Sequence, residues 1–386
     1  MQPPVVSTVS GRGFGAALVA AVGRGRGHAG RLERALVERF GARRVVLTDS
    51  GTSALVLALR ASLPANGTVL LPAYACVDLL AAAEAVGARV RLYDVDPTTL
   101  SPDLASVEDG LRRGAHAVVV AHLFGFPADV TGVAALAAAH GAAVIEDAAQ
   151  GAAGTLCGRL LGSFGPLGVL SFGRGKGVTG GGGGALLAFG AAAELPALAT
   201  GAERVSGAAG AGLTSLGVTA AQWMLARPSL YAIPSSLPFL KLGETVYHPA
   251  HDPTPIAQAS AALAADALGR ADAEARARAR VAEAVLAAAG GAGTGVRTLA
   301  GGHAGYLRLP ARRPDAAPAP ALGVLHGYPK TLADYDALRP LLHEGEAAGP
   351  GAVELRDTLF TLPTHHHVRD ADVRRLAAWL QSRPIR

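Results

Sequence analysis

From Arg43 to about Gly190, short aliphatic or β-branched runs alternate with stretches of helical character, and this alternation constrains the fold more than any other feature of the 386-residue chain. The strand candidates are Arg44–Leu47, Thr68–Leu71, Arg89–Tyr93, Ala117–Val120, Ala143–Ile145 and Leu167–Phe172. Between them lie helical patterns over Thr52–Ser62, Val77–Val86, Leu104–Arg112 and Val130–His140. Strands separated by helices of this length must be joined by crossovers, which gives an α/β fold with a mostly parallel central sheet flanked by helices on both faces. Such sheets bind their ligands at the carboxyl ends of the strands. The chemistry is therefore sought there.

The pattern changes after Gly190. Residues 191–230 read as helical, and 231–255 as a long irregular segment rich in Pro and His. A long Ala/Arg-rich helix is expected from Ile256 to Ala289, stopped by Gly290 and Gly291. Strand-like pieces follow at Gly305–Leu309 and Glu354–Leu362, with a Pro-rich stretch from Pro310 to Pro320 and an amphipathic helix from Asp370 to Leu380. A chain of this length exceeds what one core accommodates. It is read as a large domain over 1–245, beginning with an N-terminal helical arm, and a smaller C-terminal α+β domain over 246–386.

Half of the residues are hydrophobic and 17% are charged, which favours a compact protein over a disordered one. The formal charge of +5 is mild and the arginines are scattered, so a nucleic-acid partner is not expected. Cys76 and Cys157 are too few for a disulfide framework and lack metal-binding CxxC spacing, as a reducing, cytoplasmic setting would have it. The apolar run Ala16–Val22 is far shorter than the roughly 20 residues of a membrane span. Arg24 and Arg26 follow it where a cleaved leader would carry small residues. Neither membrane attachment nor a leader is expected.

Four features fall at the ends of predicted strands. Asp49-Ser50-Gly51-Thr52-Ser53 follows a strand and opens a helix, where small residues and a helix N-terminus suit an anion as well as an ordinary N-cap. Glu146-Asp147-Ala148-Ala149-Gln150 places a carboxylate at a strand end, suited to a buried cationic nitrogen, although metal binding or helix capping would use one Asp equally well. Ser171-Phe172-Gly173-Arg174-Gly175-Lys176 holds a lysine among glycines, a setting for a Schiff-base former. A nucleotide P-loop is excluded, since Leu170 and Gly177 stand where that pattern needs Gly and Ser or Thr. His122, in Ala121-His122-Leu123-Phe124-Gly125, shares the rim with Asp147. A lone His at a sheet edge is more often structural than catalytic, but the shared rim with Asp147 makes His122 a catalytic candidate.

The ordered set SGTSAL (50–55), LPAYAC (71–76), VDPTTL (95–100), AHLFG (121–125), VIEDAAQ (144–150), the segment from Ser171 to Lys176 and TGGGGG (179–184) resembles the DegT/StrS-type sugar aminotransferases. The resemblance is strong over about residues 25–190 and weaker through the long helix, Tyr328-Pro329 and the LFTLPTHHHVRDADV segment. It implies the fold-type I architecture of aspartate aminotransferase, pyridoxal 5'-phosphate (PLP) as cofactor in the large domain, and a homodimer. The activity implied is transfer of an amino group from an amino-acid donor, by family expectation glutamate, to a keto-sugar acceptor. Carried across by position, Lys176 becomes the lysine that holds the cofactor and shuttles protons, and Asp147 the partner of the pyridine nitrogen. Gln150 would lie by the ring hydroxyl, and Thr52, Ser53 and Ser171 would hold the phosphate, with Gly51 giving the turn.

The departures from the family pattern are local. Cys76 replaces the usual aromatic against the cofactor, leaving Tyr74 to stack there or that face to be covered differently. SFxPTK has become SFGRGK, where Arg174 either touches the phosphate or faces solvent. The Asn-containing loop supplied by a partner subunit is not evident, and Pro253 falls near its place. His365, His366 and His367 are adjacent, so their side chains alternate and do not easily share one ion; a structural or substrate-contacting loop is expected rather than a metal site. Tyr247, His248 and His251 lie where family members gather substrate contacts. Two competing readings remain: a PLP enzyme on the same scaffold with another reaction or a non-sugar substrate, and a non-catalytic regulatory homologue. Family dehydratases replace the lysine with His, so Lys176 disfavours that branch.

Overall fold

The computed structural model describes residues 1–22, 27–151, 153–205, 210–232, 247–290 and 293–382. Arg24 and Arg26, which follow the apolar run, the helix stop at Gly291 and the domain boundary at 245/246 lie outside the described residues. Two helices, α1 (Gly11–Ala21) and α2 (His28–Phe40), precede the first strand. The alternation then unfolds as β1 (Arg44–Thr48), α3 (Gly51–Ser62), β2 (Thr68–Pro72), α4 (Asp78–Ala85), β3 (Arg89–Tyr93), α5 (Leu104–Arg112), β4 (Ala117–Ala121), α6 (Val130–Ala139) and β5 (Ala143–Asp147). Side-chain caps start several of these helices: Ser50 accepts from the Ser53 amide, Asp103 from Ser106 and Asp129 from Gly132. A short hairpin, β6 (Thr155–Leu156) and β7 (Arg159–Leu160), leads to β8 (Leu167–Ser171) and β9 (Gly184–Ala188).

The central sheet has seven strands in the order β1-β9-β8-β5-β4-β2-β3. β3, β2, β4, β5 and β8 pair in parallel, whereas β9 runs antiparallel to both β8 and β1. β9 was not among the strands expected from sequence; its first residue ends the Gly180–Gly184 run. Alternation along β8 and β9 shows how the two faces are covered. Leu167, Val169 and Leu186 join one core with α3 residues Ala54 to Leu59, while Leu170, Ala185 and Leu187 join another with Leu32 and Leu36 of α2.

After α7 (Pro196–Arg204) and α8 (Leu213–Leu225) comes α9 (Gln258–Ala288), 31 residues long. Alanine, the best helix former, recurs through it. Ala261, Ala264 and Leu268 of α9 pack into the core beneath β8 and β9. Its last turns, with Ala282 and Val285, pack instead on Leu309, Phe360, Leu362, Leu376 and Leu380. This third core belongs to a small antiparallel sheet in the order β11-β13-β12, built from β11 (Leu309–Arg312), β12 (Leu325–His326) and β13 (Leu359–Leu362). A short strand, β10 (Gly302–His303), pairs with β6.

Two sequence expectations fail here. The strand anticipated over Glu354–Leu362 exists only from Leu359; Pro350–Thr358 is a helix, α10. Pro350 sits at its first turn, and the Asp94 carboxylate accepts from the amides of Gly351 (2.9 Å) and Ala352 (2.7 Å), so the start is capped from a distant part of the chain. The strand anticipated over Gly305–Leu309 is displaced to Leu309–Arg312, because Gly305 and Leu307 donate to the carbonyls of Gly125 and Phe124 rather than to a strand neighbour. The chain closes with α11 (Asp370–Gln381). Among the described residues, no helix is long and apolar enough to cross a membrane.

Gly168 of β8 offers a test of this packing. A Cβ there would run into the carbonyl oxygen of Gly162, whose own amide is held by the Glu146 carboxylate at 2.6 Å. The loop cannot retreat without breaking that bond. Gly168→Ala is expected to destabilise the protein by about 1–3 kcal/mol, the usual cost of overpacking, as read from the midpoint of a denaturant melt.

Candidate active site

Strand register alone brings the expected residues to one rim. Asp147 lies opposite Ala121 on one side and Val169 on the other, and Thr48 and Ser171 both lie opposite Gly184. A cleft of about 590 Å³, counting its mouth, opens at these carboxyl ends. Gly51, Thr52, Ser171 and Lys176 line it together with Asp147 and Gln150. Cys76, Asp78, His122 and Tyr328 complete its polar wall.

One end of the cleft is the start of α3. Helix N-termini present unpaired amides and partial positive charge, which favours an anion. A Cβ on Gly51 would lie 2.7 Å from the Ser171 Cβ, so glycine lets the helix start sit directly against the end of β8. Thr52 and Ser171 face the cleft. Ser53, expected to share the anion, does not: it is 2% exposed, its amide donates to Ser50 Oγ at 3.0 Å, and its hydroxyl oxygen accepts from Ser50 Oγ at 2.9 Å. Asp49 beneath this turn is braced from the irregular segment, with Oδ1 accepting from the Thr254 amide and Oδ2 bonded to His251 Nε2 at 2.5 Å. His251 thus supports the turn. Tyr247 donates to Glu84.

At the other end, Asp147 accepts a bond from the Ala149 amide at 2.9 Å. Burial drives its pKa upward, and this amide together with the charge of Lys176 offsets only part of the rise. A carboxylate in that condition is suited to a cationic partner such as a protonated ring nitrogen. Its neighbour Glu146 has the opposite fate. Burial would raise its pKa, yet the hydrogen bond from His122 and the amides of Gly165 and Gly162 outweigh burial and leave it lowered. Glu146 accepts from His122 Nε2 (2.8 Å), Gly162 N (2.6 Å), Phe164 N (2.6 Å) and Gly165 N (2.9 Å).

This network corrects the catalytic expectation for His122. Its Nδ1 accepts from the Ala128 amide at 3.0 Å and its Nε2 donates to Glu146. Neither nitrogen is left to exchange a proton with a ligand, so the imidazole serves as wall and brace. Tyr74 is likewise displaced from its expected stacking place. It is fully buried, its hydroxyl accepts from the Tyr328 amide at 2.8 Å, and its ring stands edge-on to that of Tyr328. The cleft-facing residue is Tyr328, which receives a bond from Gln150 Nε2 at 2.7 Å and stacks on Phe124. Gln150 Oε1 accepts from the Phe124 amide at 2.8 Å. Burial and the nearby charge of Asp78 push the Cys76 thiol up to about 12, so it lines the cleft as a small, protonated group.

Lys176 projects from a loop fastened by the N-terminal arm. Gly175, at φ +71°, donates its amide to Ser7 Oγ at 2.9 Å. The arm is anchored in turn by His365, whose Nε2 donates to the Pro3 carbonyl at 2.8 Å. Burial is the main reason that the His365 pKa falls to about 4. The His366 and His367 rings lie 4.1 Å apart. Among the described residues, no group of three or more His, Cys, Asp or Glu side chains is arranged to hold a metal ion. Arg174 is exposed and does not line the cleft. Of the residues that line or brace the site, Asp78 and Ser7 were not anticipated and nothing in their local sequence marks them, while Tyr328 was marked only as part of the weaker resemblance over Tyr328-Pro329.

The class of protein is set by fold and site together: a mostly parallel α/β protein with a lysine and a buried carboxylate facing one cleft beside a helix N-terminus. The same fold is found in solved structures over nearly the whole chain. A DegT DnrJ EryC1 StrS aminotransferase from Brucella abortus has a TM-score of 0.74 at 22% identity, covering 96% of this chain and 94% of that one. An E. coli GDP-4-keto-6-deoxy-D-mannose-3-dehydratase with bound hydrated PLP has a TM-score of 0.71 at 14% identity, covering 98% and 99%. Residues 23–192 match the DegT/DnrJ/EryC1/StrS aminotransferase family, and over that stretch the resemblance carried by the motifs is borne out. A UDP-N-acetyl-3-dehydro-alpha-D-glucosamine 3-aminotransferase from Acidithiobacillus ferrooxidans is 39% identical over 124 residues, 32% of this chain and 34% of that protein. An L-glutamine:2-deoxy-scyllo-inosose aminotransferase from Streptomyces kanamyceticus is 36% identical over 143 residues, 37% and 34%. The chain spans about a third of the length of these curated relatives.

The lowered pKa of Glu146 gives a signed prediction. Its stabilising effect is present above the ordinary carboxylate range and is lost as pH falls through its folded value. Glu146→Gln is expected to cost about 1.5–3 kcal/mol at neutral pH, the worth of a hydrogen bond to a charged group. The gap to the native protein should close in acid. Urea melts from neutral pH down to the acid limb measure both.

Proposed function

We propose that this protein is a PLP-dependent aminotransferase that moves an amino group from an amino-acid donor to a keto-sugar, a nucleotide-linked one being expected, in polysaccharide or secondary-metabolite sugar biosynthesis. It acts as a homodimer in the cytoplasm. The observation that carries this reading is that Lys176 and Asp147 line one cleft whose far end is the α3 N-terminus. Two carbohydrate- or cyclitol-directed relatives have aminotransferase names, and one of those names specifies L-glutamine as donor. Glutamate, the family expectation, and glutamine share the features the site must read.

The residues fit the cofactor. Gly51, Thr52 and Ser171 would hold its phosphate, Asp147 its ring nitrogen and Lys176 its aldehyde carbon, with Gln150 at the ring's edge. When bound, PLP supplies an electron-accepting ring that lets a proton leave the donor carbon and an amino group change carriers. Asp147, set at the end of β5 by Glu146 and His122, keeps a negative charge where the ring nitrogen needs one. Lys176 Nζ takes and returns the proton at the reacting carbon, and the Ser7 bond to Gly175 holds its loop in reach. Cys76 leaves room beside the ring and, being protonated, does not compete as a nucleophile. Tyr328 closes the wall through Gln150.

The chain contains three lysines, Lys176, Lys241 and Lys330, so a covalent label can be located without ambiguity. PLP-loaded protein reduced with borohydride should carry the pyridoxyl mass on the Lys176 peptide alone. Lys176→Ala should carry none while keeping its circular dichroism spectrum. Asp147→Asn should retain the label and lose amino transfer from L-glutamate or L-glutamine by about 100-fold, the scale for removing one electrostatic stabiliser. Label on Lys241 or Lys330, or an Asp147→Asn variant as active as the native protein, would sink this reading.

A further inference from the structure

Tyr328 brings to the cleft wall a hydroxyl whose proton no group among the described residues receives. The reason lies in Gln150. A main-chain amide can only donate, so the bond from Phe124 N at 2.8 Å fixes the carboxamide oxygen of Gln150 on that side and turns its nitrogen toward Tyr328. Nε2 then donates to the Tyr328 hydroxyl oxygen at 2.7 Å. A phenol that accepts one bond still has its own proton to give. The residue is 7% exposed, and the direction left open is the cleft.

The surroundings hold this hydroxyl still. The Tyr328 ring stacks on Phe124 and meets the edge of Tyr74, whose hydroxyl accepts the Tyr328 amide at 2.8 Å. Gly327 permits that approach, since a Cβ there would run into the Tyr74 oxygen. Phe124, which orients Gln150, sits at φ +56°, in the left-handed region that residues other than glycine rarely adopt. Strain of this kind persists only where the neighbourhood over-determines it. Burial raises the Tyr328 pKa well above that of a free phenol, so the group is a donor and not a base. The PLP ring carries, next to the carbon that Lys176 would hold, a hydroxyl oxygen that ionises and calls for a donor. Asp147 would serve the ring nitrogen, and both nitrogens of His122 are already bonded.

We propose that Tyr328 donates its hydroxyl proton to the ring oxygen of the cofactor, and that Gln150 is the positioning residue that aims it. The assignment rests on the reading of Lys176 and Asp147 given above. It moves the ring-oxygen contact from Gln150, where the resemblance put it, to a residue beyond the segment 23–192 that matches the family.

A hydrogen bond donated to an ionised oxygen favours the ionised form, so loss of the donor raises the pH at which the bound chromophore gives up its proton. The visible absorbance of the PLP-loaded full chain, titrated with pH, reads that midpoint. Tyr328→Phe keeps the ring and its aromatic contacts, and it should move the midpoint up by about one to two pH units, roughly ten- to hundred-fold in proton affinity, the scale of one hydrogen bond to a charged oxygen. Replacing Tyr328 with a ring-fluorinated tyrosine, a stronger donor of nearly the same shape, should move it down. Gln150→Met should raise the midpoint by less than Tyr328→Phe does, and should add nothing when the two are combined. A native midpoint in Tyr328→Phe overturns the proposal, as does a fluorinated protein whose midpoint rises or stays in place. Full additivity of Tyr328→Phe and Gln150→Met overturns it too, because Gln150 would then reach the ring oxygen by itself. The borohydride label on Lys176 is measured in the same samples. Its absence from the native protein would refute the cofactor reading, whereas its presence beside an unmoved midpoint refutes only the role of Tyr328.

Discussion

The Glu146 carboxylate is the interaction on which the site depends. It is buried between β4 and the loop that leads into β8, and its two oxygens accept from one imidazole and three backbone amides. Those bonds do two things at once. They keep a full negative charge stable in the interior, and they fix the spacing between the ends of β4, β5 and β8. Asp147, the next residue, inherits its position from them. It also inherits a contrast: two adjacent carboxylates, one saturated with donors and held below its ordinary pKa, the other left with a single amide and pushed above it. The first is spent on structure, and the second is left facing the cleft.

Much of this was legible in the sequence. The strand–helix alternation, its parallel pairing and the place of the cleft at the carboxyl ends follow from periodicity and from the length of the crossovers. Lys176, Asp147, Thr52, Ser171, Gln150 and Cys76 do line one cleft. The failures have a common physical origin, which is that a partner far along the chain decides the outcome. Glu354 to Asp357 are helical because Asp94 caps the start of that helix. Ser53 turns inward because Ser50 occupies its amide, and His122 is consumed by Glu146 and Ala128. Tyr328 replaces Tyr74 on the cleft wall because the Tyr74 hydroxyl is spent on the Tyr328 backbone. None of these pairings leaves a local pattern to read.

The glycine run that interrupts the sequence after Lys176 also finds a reason. Gly183 adopts φ +104° with Ile256 against it, and at Gly180 a side chain would meet the Ser260 carbonyl at 2.7 Å. Here the backbone entering β9 passes close to the segment entering α9. Low complexity in this stretch reflects close approach of main chains rather than loss of a function.

The tie between Ser7 and Gly175 has a bearing on how the molecule comes into being. Ser7 belongs to an arm that is pinned by groups far along the chain, His365, Asp372 and the backbone of Ala321. Contacts of such sequence separation form late in folding. The sheet and its cleft rest on contacts closer in sequence, but the lysine loop gains its final support only once the arm and the residues around His365 have met. A partly folded chain would therefore hold a shaped pocket whose lysine is not yet held in place.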